Sequence, residues 1–264
     1  KKYFNGTSHQ GKQIYALKIS DNVSEKEAEI RLALLGNQHA REFMGTEASI
    51  YFIHYLLTNY NSNQEVKNLV DQSEIFIIPT NNPDGRTVVE KGHKGETGGT
   101  LHWKKNGRDL DGDGILELYS CIEANCETDG VNLEYNYDFF WETSNKPKNL
   151  TPIYSSYRGP SALSEPETQG TKSFIDSNPP DYFINMHSWG GDIMVPYSYS
   201  QQPTPEHDLF IPITTNIANI LNKTADVEYY FPILTGGYTT QLGGTIDDYL
   251  YYTYNTMAIS YELN

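Results

Sequence analysis

Short apolar runs alternate with longer stretches of helical periodicity, and this alternation is the feature that most restricts the fold. The strand-like runs lie at residues 15–19, 30–35, 75–79, 182–186 and 257–263. Between them, apolar residues recur at the spacing of an amphipathic helix in residues 45–57, 165–175, 209–221 and 248–254. Strands that alternate with helices predict an α/β domain built on a largely parallel or mixed sheet.

The size and charge of the chain restrict its domain number and the classes of molecule that it can bind. No shift in composition marks a linker, so residues 1–264 are expected to form a single domain. A formal net charge of −15 disfavours nucleic acid, which needs clustered Lys and Arg; it favours solubility or, less often, attraction of basic substrates. The apolar runs are shorter than the ~20 residues of a membrane span. We therefore expect no membrane span. We also expect the chain to be a monomer.

Residues 86–161 differ from the rest because they are polar, rich in Gly, Asn, Asp and Tyr, and weakly periodic. A long stretch without clear elements predicts a functional loop region. It contains the two cysteines of the chain, Cys121 and Cys126, whose closeness favours a disulfide. Disulfides are typical of secreted or extracytoplasmic proteins, which is the location we expect. The chain opens with Lys-Lys-Tyr and no apolar signal segment, so any such peptide was removed or never existed.

The same region carries a candidate calcium loop. Asp109, Asp111 and Asp113 alternate at the spacing of calcium ligands, and Glu117 follows them. Position twelve of a complete EF-hand loop would be Ser120 rather than Glu, so the loop is incomplete. A calcium site and a solvated acidic turn therefore both remain open.

A candidate catalytic metal site follows two of the predicted strands. His39 and Glu42 come directly after the strand at 30–35, and their spacing of three places them on one side of a helical turn. His187 ends the strand at 182–186. Catalytic zinc takes three such ligands and leaves one position to water, and ligands collect at the carboxyl ends of strands in α/β sheets. Each signal is weak alone, because a His-x-x-Glu pair occurs by chance in many helices.

Seven motifs in one order make the signal specific. They are His39-Ala40-Arg41-Glu42, Asn82-Pro83-Asp84-Gly85, Trp103-Lys104-Lys105-Asn106, Gly130-Val131-Asn132-Leu133, Gly159-Pro160 with Ser164-Glu165-Pro166-Glu167-Thr168, His187-Ser188-Trp189 and Tyr261-Glu262-Leu263. Together they resemble the zinc carboxypeptidase family, whose best-known members are the pancreatic A and B types. The resemblance implies a central mixed, mostly parallel eight-stranded sheet flanked by helices, one catalytic Zn²⁺, and peptide substrates. It also predicts that the family's first and last helices are missing from this chain.

The resemblance assigns roles to several catalytic residues. Glu262 becomes the general base, which takes a proton from water as the water attacks the carbonyl. Lys104 stands where the family has an Arg beside the oxyanion; it keeps the charge but loses the planar fork. Arg41 is a second candidate for this role, with a structural ion pair as the alternative. Ser188, next to the third metal ligand, is implied as a substrate contact.

Two departures from the family surround the metal site. Asn132 replaces the Asp behind the first zinc histidine, so it can accept a hydrogen bond but carries no charge. Glu134 and Tyr135 replace the Asn-Arg pair that holds the terminal carboxylate of the substrate. An anion and a phenol in these substrate-binding positions predict poor recognition of a free carboxylate.

Two further substrate contacts are assigned by position. The family's substrate-capping tyrosine corresponds best to Tyr238, slightly upstream of the family spacing; a surface loop tyrosine is the alternative. Asp247 falls at the family's specificity position, where an acid goes with Lys or Arg side chains; a helix N-cap is the alternative.

Three functions follow from these residues. The first is a secreted zinc exopeptidase that removes C-terminal residues, basic ones included. The second is a zinc hydrolase, such as an amidase acting on cell-wall peptides, that cleaves an amide lacking the free carboxylate. The third is a non-catalytic binding domain that keeps the metal site. The retained Glu262 argues against the third.

Overall fold

The computed structural model describes residues 1–118, 129–143, 147–225, 230–233 and 242–264. Within these ranges an eight-stranded sheet is flanked by helices, which confirms the predicted α/β class. The strands are β1 (Lys2–Thr7), β2 (Gln13–Ile19), β3 (Ile30–Gly36), β4 (Ser73–Ile78), β5 (Tyr182–Ser188), β6 (Asp192–Met194), β7 (Phe231–Ile233) and β8 (Met257–Leu263). The helices are α1 (Met44–Asn59), α2 (Gln64–Asp71), α3 (Pro83–His93), α4 (Pro147–Leu150), α5 (Pro166–Ser177), α6 (His207–Ala225) and α7 (Ile246–Tyr254).

The sheet is mixed, with a parallel centre. Its strand order is β1-β2-β4-β3-β5-β8-β6-β7. The neighbours β4, β3, β5 and β8 run parallel, whereas β1 and β2 join antiparallel on one side and β6 joins antiparallel on the other. Because parallel strands end at the same edge, the carboxyl ends of β3, β5 and β8 lie side by side, where α/β sheets bind ligands.

Helices cover both faces of the sheet. Side chains of a strand alternate between its faces, so Ala33 and Leu35 pack towards α5 and α7, while Leu34 packs towards α1 and α2. All six residues of β4 are buried, as expected for a strand covered on both faces. A third apolar cluster joins α6 to β6 and β8.

Periodicity did not predict several of the strands and helices. Among the strands these are β1, β6 and β7, of which the last two have three residues each and are too short to show a pattern. Among the helices they are α2, α3 and α4. Most of α3, residues 86–93, lies inside the region predicted to be loop, so that prediction was wrong there; the rest of the region, where described, contains only short helical turns. No described helix combines the length and apolar character needed to span a membrane.

Replacing Ile77 with alanine should lower the free energy of unfolding by about 2–5 kcal/mol, because this fully buried side chain of β4 leaves a cavity. The matched control is Ile50→Ala in α1, where a side chain that is 52% exposed should cost no more than about 0.5 kcal/mol. Urea unfolding followed by circular dichroism measures both. Equal losses would contradict the central position of β4.

Candidate active site

The loop after β3 carries two predicted ligands, and an asparagine shapes it. Asn37 follows β3 with a φ of 55°, a left-handed conformation that asparagine adopts more readily than most residues. Its side-chain amide donates hydrogen bonds to the backbone carbonyls of His39 (2.9 Å), Ala40 (3.3 Å) and Glu42 (3.2 Å). This side chain therefore folds the loop so that His39 and Glu42 lie together at the carboxyl edge of the sheet.

Three potential ligand side chains converge at one buried point. Nδ1 of His39 lies 2.9 Å from Oε1 of Glu42, and Nδ1 of His187 lies 3.0 Å from Oε2 of the same carboxylate. The two Nδ1 atoms are 3.0 Å apart. Lone pairs of two ring nitrogens this close repel each other unless a cation lies between them. The predicted ligands are thus brought together in an arrangement that suits a metal ion.

The outer nitrogens of both histidines face acceptors. Nε2 of His39 lies 3.1 Å from Oδ1 of Asn132, the contact expected from the sequence. Nε2 of His187 lies 3.2 Å from Oε2 of Glu134. With a metal ion at the shared point, each Nδ1 would direct its lone pair to the ion, and each Nε2 would carry the hydrogen and donate it to these acceptors. Two imidazole nitrogens and one carboxylate form a donor set that zinc binds readily.

The electrostatics of the two histidines differ. Burial lowers the pKa of His39 to about 4. Burial acts in the same direction on His187, but the carboxylates of Glu134 and Glu42 raise its pKa well above the ordinary value. Burial would also raise the pKa of Glu42, yet the two histidines hold it well below its ordinary range. Negative charge is therefore concentrated beside His187.

The predicted base stands next to this point. In the parallel pair of β5 and β8, Glu262 is opposite His187. Burial raises the pKa of Glu262 to about 6, although the charges of His187 and Lys104 act against this rise. Such a carboxyl group can accept a proton near neutral pH. Glu262 and Lys104 line one pocket of about 320 Å³ together with both histidines.

Two further acids line this pocket, together with apolar and neutral polar residues such as Met194, Leu242 and Ser198. Glu134, Tyr135 and Asp247 line it. Oδ2 of Asp247 accepts hydrogen bonds from Asn185 (3.0 Å) and Ser260 (2.9 Å), whereas its buried Oδ1 has no hydrogen-bond partner among the described residues. Burial, together with the charge of Glu134, raises the pKa of Asp247 to about 6. Asp247 is not an N-cap, since the side chain of Thr245 caps α7.

Comparison with known proteins places this geometry in a family. The model of the family described as zinc carboxypeptidase matches residues 1–264. This chain belongs to the zinc carboxypeptidase family. Carboxypeptidase O of Bos taurus is 27% identical over 229 residues, which cover 86% of this chain and 55% of the relative. Mast cell carboxypeptidase A of Rattus norvegicus is 26% identical over 245 residues, which cover 92% of this chain and 53% of the relative.

Further matches bear on fold and on activity. A crystal structure of thrombin activatable fibrinolysis inhibitor superposes on this chain with a TM-score of 0.80 at 22% sequence identity. The match covers 100% of this chain and 61% of the inhibitor chain, and it supports the carboxypeptidase fold. The chain spans about half the length of the curated relatives it matches. One relative, 24% identical over 205 residues, is an inactive metallocarboxypeptidase, ECM14, of Saccharomyces cerevisiae; the match covers 76% of this chain and 42% of the relative.

Two predicted site residues of this family member contact protein groups near the metal ligands. Nη1 of Arg41 donates to the backbone carbonyl of His102 (3.3 Å), and its guanidinium lies 5.6 Å from the ring centre of Trp189. Arg41 is not among the described residues that line the pocket. The backbone N–H of Ser188 donates to Oε2 of Glu42 (3.2 Å) and so helps to hold that ligand.

Three predicted features, namely the substrate-capping tyrosine, the cysteine pair and the calcium loop, lie outside the metal site or outside the described residues. Tyr238, Cys121 and Cys126 fall outside the described residues. In the candidate calcium loop, the carboxylate of Asp109 accepts the backbone N–H groups of Gly112 and Gly114, which lower its pKa. The loop carboxylates thus accept hydrogen bonds from their own backbone, and calcium binding gains no support.

Two functional residues were missed by sequence reasoning. Gln38 donates from Nε2 to Glu134, and its Oε1 accepts from the hydroxyl of Tyr137 (3.0 Å). Asn185 donates to Glu134 (3.1 Å) and to Asp247. Asn185 lies in the otherwise apolar centre of β5. A buried amide is costly without hydrogen-bond partners, so an asparagine in this strand indicates that polar partners lie nearby.

Removing the amide of Asn37 should lower the free energy of unfolding of the metal-free protein by about 1–3 kcal/mol, because buried carbonyls lose their donor. Asn37→Gly removes the amide but tolerates the positive φ, so it isolates the hydrogen bonds. Asn37→Ala adds backbone strain and should cost more. Denaturation in excess chelator measures both variants, and a glycine variant as stable as the parent would show that the amide does not hold the loop.

Proposed function

We propose that this chain is the catalytic domain of a zinc-dependent peptidase that releases residues from the C-terminus of peptides. The observation that carries the proposal is the convergence of His39, Glu42 and His187 on one buried point beside Glu262. A structural zinc site has four protein ligands, whereas three ligands and an adjacent carboxyl group in a pocket are typical of a hydrolytic site.

The residues around this point divide the chemistry between them. Zinc bound by the three ligands would acidify a water molecule and polarise the substrate carbonyl. Glu262 accepts the proton of the attacking water and can return it to the leaving nitrogen. Lys104 lines the same pocket and supplies positive charge for the oxygen on which negative charge develops. Arg41, held against Trp189, is proposed to act as a secondary source of that charge.

The acidic part of the pocket favours a basic leaving residue. Asp247 presents a buried oxygen without a hydrogen-bond partner among the described residues, and Glu134 lies close enough to raise its pKa. Hydrogen bonds from a charged donor to a carboxylate contribute about 1.5–3 kcal/mol each. We therefore propose that an ammonium or guanidinium group of the substrate binds to Asp247, with Tyr135 and Tyr238 as further substrate contacts.

A second candidate function follows from the same pocket, namely cleavage of an amide whose substrate lacks a free carboxylate. Lys104 is the one lysine or arginine among the described residues of the pocket, and it stands beside the base. Two unit charges ~4 Å apart interact by about 4 kcal/mol at an effective dielectric of 20. A terminal carboxylate that approaches Glu134 is repelled on that scale.

We also predict the location of the enzyme, its oligomeric state and a second metal ion. The pair Cys121 and Cys126 favours a secreted or extracytoplasmic enzyme, because disulfides persist in oxidising compartments. A monomeric state and calcium binding at Asp109, Asp111, Asp113 and Glu117 also stay predictions. The non-catalytic alternative is separated from the others by a peptide-hydrolysis assay with and without chelator.

Glu262→Gln should keep about one zinc per chain and lose at least ~10²-fold in turnover, because only the proton acceptor is removed. The paired variant His187→Ala should lose stoichiometric zinc. Metal analysis by mass spectrometry and peptide hydrolysis measure the two properties separately. Near-normal turnover of Glu262→Gln would assign the proton to another group, and full zinc in His187→Ala would overturn the ligand set.

Peptides with free-acid and amidated ends should be cleaved at similar rates, because the described pocket offers no guanidinium for a carboxylate. One peptide series that differs only at the terminal group, followed by mass spectrometry, provides the comparison. A preference for free acids above ~100-fold, about 2.7 kcal/mol, would mean that another cation holds the carboxylate.

Asp247→Asn should reduce kcat/KM for peptides ending in Lys by about tenfold or more, while peptides ending in Leu change little, because the variant removes the charge that pairs with the substrate. Asp208→Asn, an exposed acid of α6, is the control and should change neither. An equal loss on both peptides would show that Asp247 supports the fold of the pocket rather than its selectivity.

A further inference from the structure

We infer that Glu134 is a positioning residue of the metal site, which holds the Nε2–H of His187 and supplies the negative charge that Asn132 does not supply to His39. The inference rests on the proposed zinc site. It gives Glu134 a role towards the metal in addition to its place in the substrate pocket.

Nε2 of each histidine faces a side-chain oxygen, but the oxygen beside His39 is neutral and the one beside His187 is charged. Oδ1 of Asn132 accepts from His39 (3.1 Å) and from the backbone N–H of Glu134 (3.0 Å), while its amide nitrogen donates to the carbonyl of Ser155 (2.9 Å). These contacts fix the orientation of the amide, so a neutral oxygen faces His39. A carboxylate oxygen faces the corresponding nitrogen of His187 at 3.2 Å.

The surroundings of Glu134 require a group that only accepts hydrogen bonds. Gln38 and Asn185 both point their amide N–H groups at its carboxylate, in addition to His187. The orientation of Gln38 is fixed, because its oxygen accepts from Tyr137. Three donors converge on a side chain that is 7% exposed, and a carboxylate satisfies all of them whereas a carboxamide would oppose its own N–H groups to theirs.

The consequence for the metal is an uneven pair of histidine ligands. A carboxylate that accepts the outer N–H of an imidazole fixes the ring and makes the inner nitrogen more basic, and loss of such a partner commonly weakens metal binding 10–100-fold. A neutral amide fixes the ring but adds less basicity. His187 is therefore the stronger imidazole donor, and most of the outer support for the metal comes through Glu134.

Zinc affinity tests this inference without any assay of activity. The dissociation constant of zinc is measured by competition with a chromogenic chelator for the parent, Glu134→Gln and Glu167→Gln. Glu134→Gln should bind zinc about 10–100-fold more weakly. Glu167→Gln removes another buried carboxylate, one absent from the pocket, and should leave the affinity unchanged.

Nuclear magnetic resonance of zinc-loaded protein labelled with ¹⁵N-histidine supplies a readout that loss of packing would not reproduce. In Glu134→Gln the Nε2–H resonance of His187 should shift upfield while that of His39 stays in place. Asn132→Ala should affect the His39 resonance instead. Gln38→Leu, which removes one donor to Glu134, should also shift the His187 resonance while that of His39 stays in place, and serves if Glu134→Gln does not fold.

The outcomes separate this inference from the proposed function. Zinc affinity within about threefold of the parent in Glu134→Gln, or a His187 resonance that does not respond to either variant, would overturn the role of Glu134 and leave the zinc peptidase intact. A parent protein that binds no zinc would overturn both.

Discussion

The parallel pairing of β3, β5 and β8 is the constraint on which the site depends. Residues separated by more than two hundred positions meet only because these strands end at one edge. The register places His187 opposite Glu262, so the proposed third ligand and the proposed base are neighbours by strand pairing alone. The loop after β3, held by Asn37, adds the other two ligands from the adjacent strand. A slip of one residue between β5 and β8 would turn one of these groups away from the site.

The main energetic cost of the site is the burial of several carboxylates. Hydrogen bonds from side-chain amides offset much of this cost. Burial of carboxylates is costly unless each is hydrogen-bonded. Gln38 and Asn185 provide N–H donors for Glu134 and Asp247, and the two histidines lower the pKa of Glu42. These contacts preserve the acidic character of the pocket rather than neutralise it. These contacts agree with the proposed binding of two positive charges, a metal ion and a cationic part of the substrate.

The sequence predicted the elements whose signal is local. Apolar runs predicted the central strands, the residue types after two of them made His39, Glu42 and His187 candidate ligands, and the resemblance of seven ordered motifs to a family added Glu262. Contacts set by tertiary packing could not be predicted in the same way. Nothing near Gln38 in sequence indicates its bond to Glu134, which lies 96 positions away. The choice between pocket acid and N-cap for Asp247 depended on which side chain caps α7, and Thr245 occupies that position. The three-residue strands are too short to show a period.

In the proposed enzyme, the charge of Glu134 would link metal binding to substrate choice. Its carboxylate lies 3.2 Å from Nε2 of His187 and at the same time lines the pocket proposed to receive the leaving part of the substrate. A group that strengthens a zinc ligand by its negative charge must also repel an anionic terminus on the scale of several kcal/mol at close range. Replacing Glu134 by a neutral residue would admit a carboxylate more readily but weaken the donor strength of His187. The chain therefore cannot gain affinity for free carboxylates at this position without a loss at the metal, unless the anion moves to another outer contact such as Asn132.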